Sequence, residues 1–296
     1  FLIREIPVPT PLIGILFVST ALSINAVKDG VAKLLGGYYP PLMLVWIHLA
    51  FTCLLLTPLV FKKYGQTVLF PQRFGVQVLR SALFVLGISL FYWSLNYIPL
   101  ADTTSMVFIA PIVVTALSPI ILGEKLGLHR SLAVLVGFVG VYVILRPEFG
   151  GERFGYILGL GAGSCLGMFY MANRKLAEYQ PQLVAVTYTA IFGTLLLLPV
   201  LPFVWVAPRL SDSALLASFI SLAIIGQIFL ISAFSYTNAS TLAPFQYTQL
   251  IAATIVGLLI FDTFPDTTTW FGIFLIVFSG LYIALRETLI ARKGET

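Results

Sequence analysis

Charged residues are scarce in this sequence: Lys, Arg, Asp and Glu make up 10% of its 296 residues, whereas hydrophobic residues make up 59%. A soluble domain needs a polar surface that this composition cannot supply, so a soluble fold is excluded. The mean hydropathy of +0.99 is that of a chain solvated by lipid. We therefore predict an all-α integral membrane protein in contact with the lipid bilayer.

Histidine and cysteine are equally rare, with two of each. Cys53 and Cys165 lie in separate apolar stretches, which argues against a disulfide framework, a metal site or a bound cofactor. No second carboxylate or thiol is placed to join His48, and His129 falls in a loop, so we expect no catalytic residues and no enzyme. The net charge of +5 is explained below by topology and gives no reason to expect nucleic acid.

What the chain has in abundance is long apolar runs, most of them long enough to cross a hydrocarbon core of roughly 30 Å. Ten such transmembrane helices are predicted, with uncertain ends. Their approximate ranges are 11–28, 41–60, 74–97, 103–122, 130–145, 154–172, 183–205, 214–237, 244–261 and 268–285.

The chain resembles itself at a shift of about 141 residues. Pro40 then falls on Pro181, and Pro58 falls on Pro199. Leu-rich helices can align by chance, but here proline, glycine and asparagine agree as well as leucine. We predict two repeats of five helices each, residues 1–148 and 149–296, that form one integral unit.

Five crossings are an odd number, so the second repeat must enter the membrane from the opposite side, which predicts inverted repeats. If the N-terminus is cytoplasmic, basic residues favour the inside by twelve to five, as the positive-inside rule requires. Both termini are therefore predicted to be cytoplasmic. The five outside residues are Lys28, Lys33, Arg146, Arg153 and Arg209.

Several elements of the first half together resemble the EamA pattern of the drug/metabolite transporter superfamily. The resemblance, which extends to bacterial exporters of aromatic amino acids, implies a ten-helix exporter of the inner (plasma) membrane with a central substrate cavity. The second half lacks a proline where Pro111 falls, which argues against symmetric gating. The elements are Arg80, Asn96, Pro99-Leu100-Ala101, Ala110-Pro111, Leu122-Gly123-Glu124-Lys125, Gly137-x-x-Gly140-Val141 and Arg146-Pro147.

Uncharged polar side chains inside apolar spans mark a protein interior or a pathway, because lipid does not tolerate them unpaired. Large aromatic residues deep in the spans could stack on an apolar substrate. The alternatives are interhelical hydrogen bonds for the glutamines and a neutral, packed imidazole for His48. The predicted cavity residues are Asn25, Trp46, His48, Tyr92, Ser105, Phe108, Gln227, Gln246 and Gln249.

Charged residues are expected at the ends of the spans. Lys28 and Lys33 would close the first span and extend to the interface, where a lysine could attract a substrate carboxylate. No carboxylate is expected to be buried mid-span, which argues against a proton relay built on Asp or Glu. If protons drive transport, His48 is then the midplane candidate; otherwise the carrier is facilitative.

Proline and glycine indicate where helices could bend or approach closely. Pro111 and Pro119 are predicted to interrupt the fourth span. Gly163 belongs to a series of glycines, every four residues, along one face of the sixth span, which is typical of close helix packing or of a hinge.

These patterns predict a secondary transporter that exports small organic metabolites by alternating access. Amino acids, including aromatic ones, are the expected substrates. The alternatives are a carrier of drugs or other metabolites, or a channel. Phosphorylated substrates are disfavoured, because the midplane has no converging basic residues.

Overall fold

The computed structural model describes residues 11–65, 71–122, 128–145, 153–176, 179–236 and 242–294, and these residues contain no β-strand. Six helices are long and apolar enough to cross a membrane, and four shorter apolar helices join them. The predicted all-α membrane fold is confirmed. The helices are α1 Pro11–Leu35, α2 Pro41–Tyr64, α3 Phe74–Ser94, α4 Leu100–Val107, α5 Ala110–Leu122, α6 Leu128–Leu145, α7 Arg153–Leu176, α8 Gln182–Leu197, α9 Leu201–Val204, α10 Ser213–Tyr236, α11 Thr248–Phe261 and α12 Thr267–Gly294.

The first helix is longer than predicted, because α1 continues past Lys28 to Leu35. It ends where Gly36 and Gly37 follow, and α2 begins at Pro41. Glycine commonly follows a helix end, and proline is favoured at the first helical position, where its missing N–H has no partner to lose. Local backbone chemistry therefore set this boundary, and the first charge did not.

The fourth predicted span is two helices, α4 and α5, separated at Phe108 and Ile109. Pro111 has no N–H to donate to the carbonyl of Val107, so the α-helical pattern cannot continue across this point. Pro119 was predicted to interrupt the span as well, but it lies inside a continuous α5.

The carbonyl that Pro119 leaves without a backbone donor belongs to Thr115. The Oγ of Ser118 donates to that carbonyl oxygen at 3.0 Å. A side-chain hydrogen bond therefore replaces the lost backbone bond, which lets α5 continue through the proline.

The ninth span is also irregular, because a 3₁₀ helix at Ala243–Tyr247 precedes α11. The two irregular segments meet: the rings of Phe108 and Tyr247 stack with their centroids 4.8 Å apart. The first half is interrupted between two α-helices, whereas the second half has a 3₁₀ segment before α11.

The two halves interlock, because helices pack mainly against helices of the other half. The pair α1–α10 corresponds to the pair α7–α3, and α1–α11 corresponds to α7 with α4 and α5. The pairs α2–α8 and α6–α12 each correspond to themselves. This exchange symmetry is the packing that two related five-helix repeats produce.

The glycine face of α7 packs directly on the interrupted fourth span. A Cβ added at Gly163 would lie 2.6 Å from the carbonyl oxygen of Met106, and one at Gly167 would lie 2.9 Å from that of Ala110. Distances this short exclude any side chain. The glycines therefore allow α7 to approach the backbone where α4 ends and α5 begins.

Candidate functional site

A buried pair of opposite charges lies on α1. The Nζ of Lys28 is 3.2 Å from Oδ1 of Asp29, and the two residues are 6% and 2% exposed. Lys28 precedes the end of α1 by seven residues, or about 10 Å at the helical rise. Lys28 is therefore buried inside α1 and is not the residue that closes the first span.

Two carboxylates that the sequence places at span ends are buried within helices. Asp29 is buried inside α1, and Asp102 is buried in α4, where Oδ2 accepts a 2.6 Å hydrogen bond from the Tyr156 hydroxyl. The sequence reading ended the first span at its first charge. Adjacent opposite charges partly compensate each other, so α1 can carry both into the interior.

Aromatic side chains from three other helices surround this pair. The Nζ of Lys28 lies 5.9 Å from the ring centroid of Tyr92, a distance at which a cation is attracted to a ring face. The rings of Tyr92 and His48 lie 6.1 and 6.3 Å from that of Phe219. α1, α2, α3 and α10 therefore converge on one buried cluster.

α11 contributes an amide to the same cluster. The Nε2 of Gln249 donates to Oδ2 of Asp29 over 3.4 Å, a long hydrogen bond. Three of the predicted cavity residues, His48, Tyr92 and Gln249, are thus brought together. We call Lys28, Asp29, His48, Tyr92, Phe219 and Gln249 the central cluster.

The central cluster holds polar atoms without hydrogen-bond partners. Within the described part of the chain, the Nδ1 of His48 is buried and makes no hydrogen bond, and the hydroxyl of Tyr92 is buried with only the Lys28–Asp29 pair in reach. Buried polar groups are almost always paired in native proteins. These two atoms beside an ion pair indicate a place where a polar ligand or water binds.

Three more of the predicted cavity residues, Asn25, Trp46 and Gln227, lie on α1, α2 and α10, which also contribute to the central cluster. Asn25 is one turn before Asp29, and its Oδ1 would be 3.0 Å from a Cβ added at Gly226, next to the half-buried Gln227. The indole of Trp46 packs edge-on against Trp205, with a buried, unpartnered Nε1.

The last three predicted cavity residues belong to the interrupted spans. The Oγ of Ser105 donates to the Ala101 carbonyl at 2.6 Å, so its hydroxyl has a partner within α4. Phe108 stacks on Tyr247, and Gln246 is exposed. These three residues lie outside the central cluster, in α4, at the α4–α5 break and in the 3₁₀ helix before α11.

Sequence reasoning missed Asp29, Asp102 and Phe219. The signal for Asp29 was its position directly after Lys28 within an apolar run. Two adjacent opposite charges partly compensate each other, so burying them in lipid costs less than burying one charge alone. Nothing in the local sequence distinguishes Phe219 from the other phenylalanines.

The fold and the site together define a class: polytopic helical membrane proteins with two interlocked halves and a polar centre. The model of the EamA-like transporter family matches residues 12–146 and again residues 153–285. The chain belongs to this family of the drug/metabolite transporter superfamily. It is an integral membrane protein and a transporter of small molecules.

Curated relatives match over nearly the whole length. The S-adenosylmethionine uptake transporter of Rickettsia prowazekii (strain Madrid E) is 30% identical over 94% of both chains. The riboflavin transporter of Vibrio cholerae serotype O1 is 27% identical over 96% of both. These matches do not confirm the resemblance to aromatic amino acid exporters.

A solved crystal structure agrees with the fold. It covers 96% of this chain and 98% of its own, with a TM-score of 0.60 and 18% sequence identity. At this identity the likeness concerns the fold alone.

Proposed function

We propose that this protein transports small zwitterionic metabolites that combine an amino-acid group with an aromatic ring. The observation that carries the proposal is the buried Lys28–Asp29 pair beside Tyr92. An α-carboxylate can bind the ammonium of Lys28, and an α-ammonium can bind the carboxylate of Asp29. A zwitterion then replaces one buried ion pair by two and leaves the net charge of the site unchanged.

The rings of the cluster supply the second part of the recognition. Tyr92 and Phe219 lie within 6.1 Å of each other, and an aromatic substrate can stack on them. The unpartnered Nδ1 of His48 and the hydroxyl of Tyr92, which lies beside the Lys28–Asp29 pair, offer it hydrogen bonds. S-adenosylmethionine, which the rickettsial relatives carry by name, joins an amino-acid group to an adenine ring and adds a sulfonium charge, which makes it a net cation. Phenylalanine is a smaller molecule with the same amino-acid group and a ring, and it is a net-neutral zwitterion.

Transport by alternating access requires parts that move, and the interrupted spans lack part of the regular α-helical hydrogen bonding. Pro111 begins the segment after the break, and Gly163 packs against that break. We propose that α4 and α5 bend here while α7 supports them. The chemistry is non-covalent throughout: binding, reorientation and release.

Direction and location follow from the sequence prediction and the relatives together. We propose an inner-membrane carrier with cytoplasmic termini. The sequence favours export, whereas the rickettsial relatives are named for uptake, so flux is to be measured both ways. If protons are coupled to transport, Asp29 joins His48 as a candidate carrier.

The test is flux in proteoliposomes that contain the purified protein. We expect uptake and efflux of radiolabelled S-adenosylmethionine or phenylalanine, and slower flux of threonine, which lacks a ring. Movement of riboflavin without any zwitterion would instead indicate a carrier for neutral ring systems. Ohmic single-channel currents would indicate a channel, and either result would contradict the proposal.

A further inference from the structure

A second buried cation lies on the other side of the bundle. Arg80, on α3, is 1% exposed, and it follows the start of that helix at Phe74 by six residues. This places it about 9 Å from the helix start. Lys28 lies at nearly the same distance from the far end of α1, about 10 Å. In the predicted topology these two buried cations lie towards opposite membrane faces.

The guanidinium of Arg80 connects the two halves through neutral acceptors. Nη1 donates to Oδ1 of Asn173 on α7 at 2.8 Å, and Nη2 donates to the carbonyl oxygen of Ala185 on α8 at 2.6 Å. The Nε of Arg80 is buried and unpartnered. Among the residues that the structure describes, no carboxylate lies within ion-pair distance of it.

Spare hydrogen-bond donors accompany Arg80. Gln77, one turn earlier on α3, donates from Nε2 to Oε1 of Gln180 at 2.6 Å, which leaves the amide nitrogen of Gln180 buried and without an acceptor. Arginine has five N–H donors in a planar fork that fits a carboxylate. The unpartnered buried atoms here are two donors, the Nε of Arg80 and the amide nitrogen of Gln180, and one acceptor, the Oε1 of Gln77. Within the described ranges the guanidinium has the Phe169 ring 6.0 Å away and no carboxylate partner.

An uncompensated charge within a membrane span is costly, so a charge kept there marks a candidate functional site. We infer that Arg80 is the cytoplasmic-side binding site for the substrate carboxylate, which Lys28 holds on the outer side. This rests on the proposed function, because it assumes a substrate with a carboxylate. Tyr92, beside Lys28, follows Arg80 by twelve residues on α3, so the two cations are roughly 18 Å apart along the helix.

The contacts of Arg80 explain why it would act only in the inward-open state. In this structure its hydrogen bonds connect α3 to α7 and α8, and separation of these helices on the cytoplasmic side would break them. A substrate carboxylate would then replace two neutral acceptors with a charged one. Charge-assisted hydrogen bonds are stronger than neutral ones, so the substrate would stabilise the opening.

The experiment uses membrane vesicles of both orientations, each loaded with the full-length carrier, and whichever of phenylalanine or S-adenosylmethionine the wild type transports. We expect Arg80→Gln to raise the KM at the cytoplasmic face at least about tenfold, the loss of one charged hydrogen bond. The KM at the outer face stays unchanged. For phenylalaninamide, which lacks the carboxylate, Arg80→Gln changes neither KM.

Two further variants separate binding from a purely structural role. Asn173→Asp places a carboxylate against Arg80 and keeps the hydrogen bond between α3 and α7. Because this carboxylate would compete with that of the substrate, we expect wild-type thermal stability with the same rise in cytoplasmic KM. Arg73→Gln removes an exposed arginine that donates to the Tyr179 hydroxyl and leaves both KM values unchanged.

Three results would overturn the inference. They are equal KM changes at both faces for Arg80→Gln, a wild-type cytoplasmic KM for Asn173→Asp, and an equal effect of Arg80→Gln on phenylalaninamide. Transport of a zwitterion together with any of these results contradicts the role of Arg80 alone. Absence of zwitterion transport by the wild type contradicts the proposed function, and the role of Arg80 with it.

Discussion

At the residue scale, two adjacent opposite charges can be buried in one helix turn because each partly compensates the charge of the other. Lys28 and Asp29 are both buried, and each is the main electrostatic partner of the other. Breaking a buried ion pair is more costly than removing it whole, because one charge is then left without compensation. This difference separates the structural role of the pair from its role in binding.

Asp29→Asn is expected to lower the free energy of unfolding by about 3–5 kcal/mol, because it leaves the ammonium of Lys28 unpaired. The double variant Lys28→Met/Asp29→Leu should recover most of that stability, yet transport no zwitterion. Thermal unfolding in detergent and proteoliposome flux measure the two effects.

Asp262→Asn is the matched control for Asp29→Asn. Asp262 is an exposed aspartate with a left-handed backbone, φ 51°, which asparagine also tolerates. It should leave stability and flux unchanged. Zwitterion transport with a wild-type KM by the double variant would show that the pair is not a binding site.

At the scale of elements, the break between α4 and α5 packs closely against the glycine face of α7. Gly163 faces the carbonyl of Met106, one turn before the start of α5. Backbone atoms cannot rotate away as a side chain can, so an added methyl group there forces the helices apart.

Gly163→Ala is expected to lower the free energy of unfolding by about 1–3 kcal/mol, although alanine is the better helix former. Gly161→Ala, two residues earlier, is the control. A Cβ there would meet only the Cδ1 of Leu90, at 3.1 Å, and a leucine can move, so stability should be unchanged or higher. Equal losses from both variants, measured by thermal unfolding, would contradict the close contact with the α4–α5 break.

At the scale of the whole molecule, the open question is which connections between helices lie on which side of the membrane. The basic residues predict that the α2–α3 connection is cytoplasmic and that the segment before α10 is outside. Lys63, in the last turn of α2, and Ser211, in the segment before α10, are exposed.

Lys63→Cys and Ser211→Cys, each made after Cys53 and Cys165 are replaced by alanine, provide the topology test. A membrane-impermeant maleimide should label the cysteine at 211 in intact cells, and the one at 63 only after permeabilisation. The reversed pattern would place both termini outside, since ten spans bring them to the same face.

Local features of the chain were sufficient for much of the fold. Ten spans, the repeat and the break before Pro111 could be predicted, because hydropathy, proline and glycine act on the backbone near them. The candidate site was predicted only in part: His48, Tyr92 and Gln249 were named, whereas Asp29 and Phe219 were not.

By itself, the sequence determined that lipid is the solvent, that the chain is helical and that it contains two related halves. Only the tertiary structure decided which polar groups meet. The central cluster draws on separate helices, with Lys28 and Gln249 221 residues apart. Hydropathy describes each stretch of sequence alone and contains no information on the helices that pack against it. Whether a charge can remain in the membrane depends on the atoms around it, and those are brought together only when the halves interlock.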